Sequence, residues 1–157
     1  MTAHALAMAL RSAYLSMHRR TDAALAPLGI TADQFVVLAA LAESEPATQT
    51  ELTARASADR NTLRAMLVLL ERRGAIERRV DPVDRRARPV ALTEVGRRIL
   101  ADAWRASEAI RAEMESSVGL DDLETLVPLL RRLAAAMDGD PAAALSRNAP
   151  DRTRRRD

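Results

Sequence analysis

From residue 3 onward, apolar side chains recur in steps of mostly three or four, as Leu6, Leu10, Ala13, Met17, Ala24 and Leu28. This is the spacing of one helix face over 3–26, stopped by Pro27 and Gly29. Thr31 with Gln34 reads as a capping box that opens a second helix, with Phe35, Leu38 and Ala42 inward and an end near Glu45 and Pro46. Thr48 with Glu51 repeats the device for a short third helix that turns Leu52 and Ala56 inward. Ser57 and Asp59 are then available as caps for a fourth. In that fourth helix Leu63, Met66, Leu67 and Leu70 fall at i, i+3, i+4 and i+7, Arg60, Asn61, Arg64 and Val68 form the outward stripe, and Gly74 supplies the stop.

Beyond Gly74 the period shortens. Ala75 to Val80 and Arg88 to Leu92 read as two strands around a polar turn carrying Asp81, Pro82 and Asp84. Pro89 has no N–H for a ladder, so the returning strand is expected at an edge of a two- or three-stranded appendage. Thr93 caps a long helix through about Ser117, with Val95, Ile99, Ala103, Ala106, Ile110 and Met114 on one side. Asp121 with Glu124 boxes a last helix whose stripe is Leu123, Leu126, Leu130, Leu133 and Met137, with a bend expected at Pro128. From Pro141 the periodicity is gone, and residues 141–157 read as a disordered basic tail.

Composition narrows the function. The 157 residues include no Cys, two His, and three aromatic side chains, Tyr14, Phe35 and Trp104. Disulfides, thiol chemistry and zinc fingers are therefore excluded, and single-strand stacking platforms lack the rings they need. His4 and His18 stand four turns apart on one helix, so no metal is expected, nor any cofactor. The carboxylates look like caps and solvated faces rather than a converging acid/base pair, which argues against an enzyme. No apolar run approaches a membrane span and no signal-peptide pattern opens the chain, so a cytoplasmic protein without membrane attachment is expected. All 24 cationic side chains are Arg, and 12 of them lie in residues 55–98 against 6 acids there.

Two short capped helices, the second apolar inside and cationic outside, followed directly by a basic hairpin, form a winged helix-turn-helix pattern. An α-helix fits the major groove, where Arg pairs with guanine and Asn with adenine, while phosphates take cations and amides. Arg60, Asn61, Thr62 and Arg64 have that chemistry and placement. The hairpin tip presents Arg85, Arg86 and Arg88, guanidinium groups suited to a narrow minor groove, with Asp84 placed to hold one of them.

The run ITADQFVVLAALAE, then TQTELTARASADRNTLRAMLVLLERRGAIERRVDPVDRRARPVALTEVG, resembles the multiple-antibiotic-resistance-regulator (MarR) family, most strongly in DPVDRRARPVALTEVG. The resemblance implies a mainly α fold with a small β-hairpin. It further implies a homodimer with interlocking terminal helices, two winged lobes reading a pseudo-palindromic double-stranded operator, and release by a small ligand. By matching position it makes Asn61, Thr62 and Arg64 base or phosphate contacts, and Arg86 a minor-groove finger oriented by Asp84. Two departures stand out: Ala65 where many relatives carry a cation, and Pro89 in place of a usual apolar residue. The expected organisation is one domain over 1–140, with the lobe at 30–98 and dimerisation helices at 3–28 and 99–138.

The family's usual effector pocket lies between the dimerisation helices and the DNA lobe. Tyr14, Met17, His18, Phe35 and Trp104 are the large or polar-tipped groups available to line it, and each also suits a packing role. A small aromatic or phenolic effector fits such a lining. The competing reading is a helical protein-protein interaction module that uses the same fold without DNA.

Overall fold

The computed structural model describes residues 2–84 and 87–138, so Arg85, Arg86 and the tail expectation for 141–157 lie outside the described residues. The elements in order are α1 (Ala3–Leu25), a 3-10 turn (Ala26–Leu28), α2 (Ala32–Glu43), α3 (Gln49–Arg55), α4 (Arg60–Arg72), β1 (Ile76–Arg78), β2 (Val90–Leu92), α5 (Glu94–Ala106), α6 (Glu108–Val118) and α7 (Leu120–Met137). Two compact units are present, Met1–Arg111 and Ala112–Asp157. Among the described residues no single helix is long and apolar enough to cross a membrane.

In the first unit α2 packs against α1, α3, α5 and β2. Being surrounded, it buries Phe35, Val37, Leu38, Ala40 and Leu41, far more than one stripe, while the expected inward Ala42 is exposed because the helix is near its end there. Thr31 and Gln34 make the reciprocal capping box, as do Thr48 and Glu51 for α3. Leu25, Leu52, Leu63, Leu67, Leu70 and Val90 close the same core with no exposed surface. The Arg73 guanidinium, just past α4, donates to the Leu28 carbonyl at 2.8 Å and to that of Gly29, tying the end of α4 to the elbow between α1 and α2.

The wing strands are shorter than their apolar pattern, three residues each, paired antiparallel with Ile76 opposite Leu92 and Arg78 opposite Val90. The returning strand is not an edge. Val90 also bridges Ala47 on its other side, donating at 2.7 Å and accepting at 2.9 Å, so β2 lies between β1 and that bridge. Pro89 is tolerated because it precedes the strand, and its carbonyl accepts from the Arg79 amide at 2.8 Å.

The helix expected over 93–117 is two helices that part at Ser107. Its buried hydroxyl donates to the Ala103 carbonyl at 2.8 Å, the local side-chain competition that unsettles helix interiors. Arg111 then donates to the Trp104 carbonyl and the Ser107 hydroxyl, bracing the break. In the second unit the expected Asp121/Glu124 box does not form. The helix begins two residues early, with Gly119 at its N-cap at a positive φ of 86°, and Asp121 and Asp122 fall inside the first turn where their charge complements the helix dipole. The helix continues through Pro128, and none of its residues is buried.

Candidate nucleic-acid interface and adjoining cavity

The turn between α3 and α4 is set by Ser57, which takes a left-handed conformation (φ 48°) rather than capping, and by Asp59, which caps. Asp59 Oδ1 accepts the amides of Asn61 at 3.0 Å and Thr62 at 2.9 Å. Bonds from the Thr62 side chain first, then from these amides, hold the Asp59 carboxyl below its ordinary range, so it stays charged at neutral pH. With Leu63, Met66, Leu67 and Leu70 packed inward, the opposite side of α4 is fixed outward.

That outward side carries Arg60, Asn61 and Arg64, all exposed, which together with Gln49 and Thr50 of α3 line a polar cleft of about 280 Å³. Gln49 donates through Nε2 to the Arg60 carbonyl at 3.4 Å, linking the two helices at the cleft floor. Sequence reasoning missed Gln49 and Thr50, whose role depends on where α3 lies against α4. Thr62 is not gathered with the three: at roughly 100° per residue it lies about 200° round the helix from Arg60 and Arg64. It faces a second cavity instead. Val68, expected outward, is half-buried.

The wing is anchored at its base. Glu45 accepts the Leu92 amide at 2.7 Å and pairs with Arg97. Partial burial pushes the Glu45 carboxyl up, but the hydrogen bonds from Arg97 and Leu92 and the charges of Arg97 and Arg79 outweigh it and hold the group below its ordinary value of 4.5. Arg78 pairs with Glu71 of α4 at 3.2 Å. Toward the tip, Asp81 accepts the amides of Val83 at 2.8 Å and Asp84 at 2.9 Å, and the Asp84 carbonyl accepts that of Ala87. Asp84 and Arg88 are exposed there. Arg85 and Arg86 belong to the undescribed tip, so the Asp84 to Arg86 pairing expected from sequence lies outside the described residues.

The second cavity, about 430 Å³, opens between Tyr14 of α1, Asp33 and Val36 of α2, and Asp59, Thr62 and Met66 around the start of α4. Of the five side chains expected around an effector, only Tyr14 lines it. His18 stands one layer behind, its ring 5.5 Å from that of Tyr14, bonded through Nδ1 to Asp22 at 3.3 Å and through Nε2 to Asp33 at 3.2 Å. Met17 is half-buried on α1. Phe35 and Trp104 are brought together elsewhere, edge to face at 4.8 Å, with the Arg111 guanidinium 4.7 Å from the Trp104 ring. They pack α2 on α5 and do not line this cavity.

Residues 30–87 match the MarR family model. The transcriptional regulator HosA of Escherichia coli O111:H- is 32% identical over 107 residues, which span 68% of this chain and 79% of that protein. The chain belongs to the MarR family. Among solved MarR-type structures, the transcriptional repressor CouR bound to a 23-mer DNA duplex superposes with a TM-score of 0.74 at 32% identity, over 82% of this chain and 92% of that one. CouR from Rhodococcus jostii RHA1 bound to p-coumaroyl-CoA gives a TM-score of 0.71 at 25% identity, over 84% and 90%. The winged helix-turn-helix lobe and the helical flanks are thus those of MarR-type regulators of transcription.

Proposed function

We propose that this MarR-family chain is a homodimeric, sequence-specific double-stranded DNA-binding repressor. In this reading α4 of each subunit enters the major groove of a pseudo-palindromic operator, the wing between β1 and β2 follows the adjoining minor groove, and a small molecule in the second cavity releases the complex. It acts in the cytoplasm and catalyses no reaction. CouR, a repressor solved on a DNA duplex and also with a small ligand, supports both halves of the reading by relationship.

The observation that carries it is the exposed edge of α4. Arg60, Asn61 and Arg64 share a polar cleft with α3 while the opposite edge of the same helix is locked in the core, so three donors face a groove-sized object without cost to the fold. The cleft wall offers charge and amides, and further along the same edge Ala65, Val68 and Leu69 add an apolar hollow beside Asn61 and Arg64.

The DNA upstream of the chain's own gene, searched for an inverted repeat, is the substrate of choice for the test. Fluorescence anisotropy should give tight binding to that repeat, weakening steeply with salt. Footprinting should protect two half-sites about 10 base pairs apart centre to centre. Equal affinity for the repeat and for unrelated duplexes would refute sequence-specific reading.

A further inference from the structure

Building on that repressor reading, we infer that the cavity between α1, α2 and the start of α4 takes an organic cation, an amphiphilic amine with an apolar body, as the effector. Two carboxylates, Asp33 and Asp59, stand in its wall, and among the described residues no Arg lines it. A third, Asp22, lies behind His18 and also accepts the Ala32 amide at 2.7 Å. Against them in the wall stand the N-termini of α2 and α4, each equivalent to about half a charge. The two lining carboxylates outweigh those two half-charges.

The remaining wall suits the body of such a ligand. Val36 and the Tyr14 ring are exposed in this cavity and Met66 closes its floor, giving apolar area and an aromatic face, and the volume is that of a small-molecule site. An acyl-CoA of the kind seen in CouR carries several phosphate charges and would need cations that this wall does not offer. The position also explains why occupancy would matter to DNA. Asp59 is at once wall and cap, so an ammonium drawn to it pulls on the same carboxylate that holds the amides of Asn61 and Thr62 at the start of α4. Ligand and operator are then linked, and the linkage is reciprocal.

Phenylbutylamine, phenylbutanol and phenylbutyrate share one apolar body and differ in charge. Calorimetric titration of the full-length dimer should rank the amine at least about tenfold tighter than the other two, and only the amine should weaken binding of the inverted repeat, by about tenfold. Asp33→Asn should shrink the preference to within about threefold. Asp59→Asn should do the same while staying folded, since Asn is as good an N-cap as Asp. Phenylbutyrate binding as tightly as the amine, no binding by any of the three, or an unchanged preference in Asp33→Asn would each overturn the assignment. A protein that binds the repeat but prefers the acid loses only the charge assignment. One that selects the amine yet ignores the repeat loses only the repressor reading.

Discussion

Arg97 of α5 reaches back to Glu45, and the second carboxylate oxygen of Glu45 accepts the Leu92 amide, so one side chain holds the loop after α2, the returning wing strand and α5 together. The folded state holds this carboxyl below 4.5, the value it regains on unfolding. Its contribution is therefore fully present above that value and is lost as the pH falls through the lower, folded value. Denaturant melts at a series of pH values should show an acid-side loss of stability in the wild type. Glu45→Gln should be less stable at neutral pH by about 1 kcal/mol and show a shallower acid limb. Identical acid limbs would remove Glu45 from the account.

Gly96 sits in α5, where Ala normally stabilises, yet a Cβ there would lie 1.9 Å from the Ala75 carbonyl oxygen. Gly96→Ala should therefore destabilise the lobe by about 1 to 3 kcal/mol or more, because backbone rather than a movable side chain stands in the way. At Gly74 a Cβ would meet nothing within 4 Å, and only the left-handed backbone (φ 69°) resists it. Gly74→Ala should cost about 1 to 2 kcal/mol. Thermal melts of the pair give the comparison, and a stabilised Gly96→Ala would contradict the close packing of the Ala75 backbone on α5.

Asn61 and Arg64 lie three residues apart on the exposed edge of α4, and with α4 in the major groove as proposed they would project toward successive base pairs. Arg64→Ala should relax discrimination at one operator position by about 1 to 3 kcal/mol, whereas Arg86→Ala in the wing should lower affinity for matched and altered operators alike. A panel of single-base operator changes titrated at fixed salt separates the two. A flat loss for Arg64→Ala would make that residue a phosphate clamp. Leu67→Ala, buried beneath the same helix, should cost about 2 to 5 kcal/mol of folding stability instead.

Leu6, Met8 and Leu15 of α1 are exposed in the single chain, and α7 buries none of its apolar stripe. A second subunit is the natural cover, so sedimentation at micromolar concentration should find a dimer and no folded monomer. The lone Trp104, 42% exposed and 4.7 Å from Arg111, gives an emission signal to follow during dilution. A stable folded monomer would count against the two-fold arrangement.

The helix starts at Thr31, Thr48 and Asp59 were legible because a cap and its partner lie within three residues, and the core of α4 because its spacing is local. What escaped was long-range. The bridge that makes β2 central joins Val90 to Ala47, 43 residues away, and nothing near Pro89 announces it. Ser107 reads as an ordinary helix-surface residue until burial turns its hydroxyl inward. The site divided the same way: Arg60, Asn61 and Arg64 followed from the stripe, but placing Thr62 and Asp59 against Tyr14 and Asp33 requires knowing how α1 lies across the start of α4. Of the large side chains sought for that cavity only Tyr14 lines it, and the carboxylates of Asp33 and Asp59 share its wall.

The hold of Arg73 on the carbonyls of Leu28 and Gly29 clamps the C-terminal end of α4 to the elbow between α1 and α2. The 13 residues of α4 give a length of about 20 Å. A tilt of about 5° around the clamp leaves Arg72 nearly still but carries Arg60 sideways by about 1.7 Å, over half the length of a hydrogen bond. The residues proposed to face DNA, Arg60, Asn61 and Arg64, gather at the far end, where small angular changes are magnified.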